Sequence, residues 1–554
     1  MKNIFVKSIL VLAASAFVAT GCIKETFPQG STVTAAQVAA SPSALGAMLS
    51  SINAAMTSMN TAGHYSNYNA QYDFGIGAIH LITDHMCEDI ATMGDEPGYD
   101  WFYNSWATCV NQGKDYTPCS YFWECYYPWI KTTNDVIGSI LAGGEEPSES
   151  TALLLGQAYA YRAAFYLDLA RLYEPKENKY TDISAVKGLT VPIVTNETTE
   201  KDANNNPRAT HDEMYAFILS DLEKAAEYIG DYSESYVMPT IGFVNAIFAK
   251  TYLEMGAAGD AAAYGKAIEY ADKVINSGKY APLTQDQWES PTTGFNLGSA
   301  NKSWIWGAVQ SSENINNLVA FIPHISAEAS WGYVPGYSSV GCNKRLYESI
   351  SDLDFRKHSW LDPARLDYYD YKINDAKAFL NGTAPYSDPA EDYAGLKFRP
   401  AQGNISDNTV GNATEIPILR VEELYFVKAE AQAQSGKLEE AKATLESLIK
   451  TRYVDGSYTC TASTKEVFLE QLLLHKRIEF WGEGVVIYDY KRLDHGITRG
   501  YEGTNHAGTS LFNCEGRSPQ WNIVITRGET QSNVGIPDEL NNPDPSKYTD
   551  LWVE

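Results

Sequence analysis

The densest group of residues suited to molecular recognition lies between Tyr99 and Trp129. Twelve of these thirty-one positions are aromatic, and Asn104, Asn111, Gln112 and Asp115 are interleaved with Trp101, Trp106, Trp123 and Trp129. Flat aromatic faces stack on the apolar faces of sugar rings, while Asn, Asp and Arg satisfy the hydroxyls. Trp101 to Trp106 follow Gly94 and Pro97-Gly98, so this part is expected to be a ligand-facing loop. Trp123, Tyr127 and Trp129, spaced around Cys125 and Pro128 on a helical stretch, read instead as core. A second Gly/Pro loop carries Trp331, Tyr333 and Tyr337. The candidate ligand-binding set is therefore Asp84, Trp101, Asn104, Trp106, Trp331, Tyr333 and Tyr337.

Signatures of catalysis are missing. There is no phosphate-binding loop, no His-Glu-x-x-His and no dinucleotide glycine fingerprint, and Gly336-Tyr-Ser338-Ser-Val-Gly341 misses the nucleophile elbow by one residue. The nine histidines are scattered, with no pair at metal-ligand spacing on a helix. Asp202, Asn204, Asn206 and Glu213 imitate a calcium loop, but Pro207 stands where Gly is needed. Thr210 and Glu213 read better as a capping box opening a helix to Ile229. No cofactor and no metal site is expected. A carboxylate pair for glycoside hydrolysis is defined by separation in space, so the 69 acidic residues leave that alternative open.

The elements that must position these residues are helical and come in pairs. From Ala246 the chain reads AIFAKTYLEMG and then YGKAIEYADKVINSGKY; from Leu424 it reads LYFVKAEAQAQSGKLEEAKATLESLIKTRY. Small residues Ala267, Ala271 and Ala441 let two helices approach closely, and Gly256 and Gly436 are expected as left-handed caps at the turns. This is the tetratricopeptide pattern. Leu153 to Tyr173 with Asp212 to Ile229 forms a third candidate pair. Residues 61–150 and 280–415 lack period and carry runs such as TTGFNLGSANKSWIWG and ASWGYVPGYSSVG. Trp304-Ile305-Trp306 and Ile416-Pro417-Ile418-Leu419 read as short strands. The expected fold class is mainly α, a helical scaffold carrying a loop-rich ligand-binding lobe.

The charge balance narrows the partners. Across 554 residues, 69 acids oppose 42 bases for a formal charge of -27, which excludes nucleic acid as a partner. Lys2 and Lys7, an apolar run from Ile9 to Val18, and Ala19-Thr20-Gly21 before Cys22 have the layout of a lipoprotein signal peptide. The run is too short to span a bilayer. Cleavage would leave Cys22 as the lipidated first residue, an anchor to the membrane by acyl chains. Seven cysteines remain; Cys109, Cys119 and Cys125 lie close enough in sequence for a local bridge, but plain burial is the expected role.

An ordered series of motifs along the mature chain resembles the SusD/RagB-like family of outer-membrane nutrient-binding lipoproteins. Tyr161-Arg162-Ala163 with Tyr166 to Tyr173, Gly188-Leu-Thr-Val-Pro192, Asn276 to Tyr280 and Asp354-Phe-Arg356 look like successive family elements. Ile418-Leu-Arg420 through Ala431, Leu473 to Gly484 with Tyr488 to Leu493, and Ile536-Pro537 to Asn541 complete the series. Asp489 is followed by Tyr where the family usually has Leu. Arg477, Glu479 and Glu483 read as a buried, paired network.

The resemblance implies a SusD-like fold with tetratricopeptide-type helix pairs as scaffold. It further implies a non-catalytic, cell-surface outer-membrane lipoprotein that binds glycan and delivers it to a SusC-like TonB-dependent transporter. A peptide-binding RagB-like nutrient lipoprotein and a surface glycoside hydrolase are the alternatives. The expected layout is a signal peptide at 1–21, a lipidated tether at 22–35 and one SusD-like domain at 36–554. Its scaffold is drawn from about 36–60, 150–278 and 416–482, and its loop-rich lobe from about 61–149 and 280–415.

Overall fold

The computed structural model of the chain describes residues 41–58, 72–93, 106–142, 146–290, 292, 295–313, 318–335, 339–362, 364–365 and 391–547. Its helices of eight residues or more begin with α1 (Pro42–Ala55), α2 (Ile76–His85), α3 (Thr117–Leu141), α4 (Glu149–Tyr173) and α5 (His211–Ile229). They continue with α6 (Ile241–Ala257), α7 (Ala263–Ile275), α8 (Val421–Gln434), α9 (Leu438–Ile449), α10 (Lys465–Glu479) and α11 (Val486–Leu493). The stretch 61–149, expected as loop-rich, thus holds α2 and α3 among its described residues.

The three pairs read from the periodicity pack together: α4 on α5, α6 on α7 and α8 on α9. Helix α5 starts where Thr210 Oγ1 accepts from the Glu213 amide at 3.3 Å and the Glu213 carboxylate accepts from the Thr210 amide at 2.9 Å. The capping box accounts for both residues. Ala267, Ala271 and Ala441 are fully buried, as close packing requires. Gly436 takes φ +78, the left-handed cap expected of it. Gly256 corrects the expectation. It lies inside the last turn of α6, where a Cβ would come within 2.6 Å of the Tyr264 ring on α7, so it serves close approach; the positive φ falls at Gly259.

Among the described residues three short antiparallel ribbons tie the loops down. β1 (Ile90–Met93) pairs with β3 (Ser339–Cys342), and β2 (Trp304–Val309) pairs with β4 (Glu415–Arg420). The β2–β4 register sets Val309 opposite Glu415 and Gly307 opposite Pro417, with irregularities around Trp306. β4 runs directly into α8, so the ribbon is fixed to the helical scaffold.

Beneath the pairs lies a buried ionic network around Glu479 and Glu483, as expected, but Arg477 stands apart from it. Glu479 faces Arg452 at 2.8 Å, Arg356 at 3.0 Å and Arg420 at 3.2 Å, while Glu483 faces Arg420 at 2.8 Å and Lys397 at 2.6 Å. All of these side chains are buried. Burial alone would raise the Glu479 carboxyl, but the three guanidinium groups hold it well below the usual carboxylate range. Arg477 pairs with Asp89 and Glu88. Cys87, Cys109, Cys119, Cys125, Cys342, Cys460 and Cys514 are all buried and unbridged, so no local disulfide joins the 109–125 cluster. No helix among the described residues is long and apolar enough to cross a membrane.

Candidate functional site

Of the residues singled out from the sequence, Cys22, Trp101, Asn104 and Tyr337 lie outside the described residues. Asp84 and Trp106 are placed where no ligand reaches them. Trp106 is 4 % exposed and meets Phe122 of α3 edge-on, with ring centroids 5.4 Å apart, so it belongs to the core. Its neighbouring turn residues suggested a loop, but α3 supplies the aromatic wall that buries it. Asp84 sits inside α2, also 4 % exposed, and accepts from the Gly484 amide at 3.3 Å. Burial pushes its carboxyl up to about 8 against that hydrogen bond, so it is protonated at neutral pH and pins the 482–484 turn.

Trp331 and Tyr333 are partly buried, with some surface left to solvent. Tyr333 tilts against His324 (4.8 Å between centroids), which stacks on Phe74 (5.1 Å). Ser330 donates to the Ile405 carbonyl at 2.6 Å, fastening the Trp331 loop to the segment after Pro400. Trp331 packs over Gly411: a Cβ there would lie 2.6 Å from Trp331 Cζ2 and 3.3 Å from Pro400 Cβ.

On the Pro400 side of this contact is a cavity of about 280 Å³ lined by Phe295, Asn296, Arg399, Pro400, Gln402 and Glu415, among others. It lies at the end of the β2–β4 ribbon, with Val309 and Glu415 on its wall. Gln402 is held at φ +57, a left-handed conformation uncommon for a residue with a side chain. Arg399 grips Glu328 with two nitrogens at 2.5 and 2.7 Å and donates to the Glu289 carbonyl at 2.9 Å. Glu415 accepts from the Tyr236 hydroxyl at 2.8 Å and from the Gly298 amide. Burial raises the Glu415 carboxyl, with these donors opposing. The lining comes from Ser290, Thr292, 295–297, 399–402 and 413–415, which no local motif connects; the TTGFNLG run containing Phe295 and Asn296 is the signal the sequence offers.

Two other cavities differ in kind. An internal one of about 40 Å³ lies among His80, Asp168, Arg171, Lys250 and Glu483, with room for a few water molecules. An open groove of about 990 Å³ runs along the scaffold between Met48 of α1, Tyr127 to Ser139 of α3 with Ala142 just beyond it, and residues 194–196 and 198. Of these three cavities, the one behind Pro400 has a lining residue, Pro400, beside Trp331 of an aromatic loop predicted to bind.

The architecture is shared with known proteins. A family profile described as starch-binding associating with outer membrane matches residues 39–253, and a second, described as the SusD family, matches residues 274–535. The chain belongs to the SusD family. Its mainly α SusD-like fold is the one the resemblance implied. SusD-like protein P2 of Formosa agariphila is 24 % identical over 430 residues, 75 % of this chain and 77 % of that protein. A SusD-like carbohydrate binding protein of Bacteroides vulgatus superposes with a TM-score of 0.67 at 21 % identity, covering 90 % of this chain and 98 % of its own. Surface glycan-binding protein A of Bacteroides thetaiotaomicron, solved in complex with laminarihexaose, gives 0.63 at 17 %, again over 90 % and 98 %. At these identities the structural likeness speaks for the SusD fold alone.

Proposed function

We propose that this SusD-family chain is a cell-surface outer-membrane lipoprotein, lipidated at Cys22, that captures oligosaccharide and passes it uncleaved to a SusC-like TonB-dependent transporter. The observation that carries the reading is the pocket behind Pro400, a lining residue that meets Gly411 beside Trp331, in a chain matched by two profiles of this family. A family relative solved with laminarihexaose supports the ligand class. The pocket also argues against hydrolysis. Retaining and inverting glycosidases need two carboxylates flanking the bond, whereas among the described residues of this lining Glu415 is the one carboxylate and both its oxygens already accept hydrogen bonds. Stacked rings and direct hydrogen bonds of roughly 0.5–1.5 kcal/mol each give affinities on the order of millimolar to tens of micromolar, weak enough for handover.

The test is a panel of oligosaccharides assayed in parallel for binding and for release of reducing ends. Binding of at least one glycan with no release is expected. Release above a no-protein control would overturn the non-catalytic reading.

A further inference from the structure

We infer that the pocket at the end of the β2–β4 ribbon takes a single uncharged sugar ring and discriminates against uronate and sulfated rings. This rests on the glycan-capture reading above and specifies its substrate class.

The argument is one of charge availability. An anionic ring needs a cation free to pair with it. Among the described lining residues the one cation is Arg399, and the Glu328 carboxylate already balances its charge: two nitrogens bond that carboxylate and the third donates to the Glu289 carbonyl. Drawing Arg399 toward a ligand would leave Glu328, 2 % exposed, as a buried carboxylate without its partner. The other ionisable group, Glu415, would face an incoming anion with like charge. The wall's other polar side chains, Thr292 and Gln402 among them, are neutral, and Pro400 with Phe295 adds apolar surface. At about 280 Å³ the cavity falls just below the range of about 300–1,000 Å³ typical for drug-sized ligands, which suits one ring of a chain whose remainder runs past Trp331. The formal charge of -27 adds a long-range repulsion toward polyanions, but that component is screened by salt and the pocket's is not.

The experiment uses the full chain and size-matched hexasaccharides, neutral (gluco- and manno-) and acidic (galacturonate and sulfated), at about 0.1 and 0.5 M NaCl. At least one neutral probe is expected to bind with little salt dependence. Acidic probes should stay about tenfold weaker or worse at both salt concentrations. Ala413→Trp, which fills the pocket from its rim, should weaken neutral binding about tenfold with the fold intact by circular dichroism. Acidic probes that bind as well as neutral ones, and are lost in the Ala413→Trp variant, would overturn the inference while leaving glycan capture standing. Neutral binding unchanged in that variant would overturn the pocket assignment. Failure of every probe in both sets would instead sink the glycan reading itself.

Discussion

Asp84 shows how a residue with the right chemistry can be removed from function by its surroundings. On α2 it stands one turn from His80, whose ring burial lowers to about 3, so at neutral pH both groups are uncharged. The two make opposite contributions to stability. His80, depressed in the folded state, costs stability as pH falls below its ordinary value of 6.5. Asp84, raised in the folded state, is protonated when folded and ionised when unfolded between about pH 4 and 8. It therefore costs stability as pH rises through that window. Asp84→Asn removes this contribution while retaining an acceptor for the Gly484 amide. In denaturant titrations the variant should gain on the native protein by up to about 1.4 kcal/mol per pH unit between pH 5 and 8, and then level off. A difference independent of pH would show that Asp84 is ionised in the fold.

The helix pairs carry the account at the scale of elements, and their junction is Glu479 at the end of α10. Three guanidinium groups converge on it, from the 354–356 turn, the end of β4 and the segment after α9. Glu479→Gln keeps the shape but leaves those cations under-compensated in the interior. A loss of about 3–5 kcal/mol is expected, read as a lowered denaturation midpoint with an unchanged m-value. A loss below about 1 kcal/mol would mean that the network is solvated. The same elements show what a sequence discloses. The pairs α6–α7 and α8–α9 were legible because 3.6-residue periodicity and buried small residues such as Ala267 and Ala441 are local facts. Gly256 departs from its expected role because a glycine letter does not separate a left-handed cap from a surface pressed against Tyr264. Trp106 departs from its expected role because its neighbours in sequence are turn formers while its neighbour in space is Phe122. The pocket residues Arg399 and Thr414 are not legible at all, since bonds between distant parts of the chain, the β2–β4 pairing and those of Asn296 to the Arg399 and Glu415 amides, bring 295–297 to 399–402 and 413–415.

For the whole molecule, the division of labour is between a charged, tightly bonded scaffold and loops that keep aromatic surface available. Two places compete as the capture site: the pocket beside Trp331, and the open groove along α3 lined by Tyr127 and Asn134. They make opposite predictions for one measurement, isothermal titration of the best-bound oligosaccharide into the native chain, Trp331→Ala and Tyr127→Ala. The account predicts about a tenfold or greater loss of affinity in Trp331→Ala and native affinity in Tyr127→Ala. Native affinity in Trp331→Ala, with the loss appearing in Tyr127→Ala, would contradict it and move capture to the helical groove.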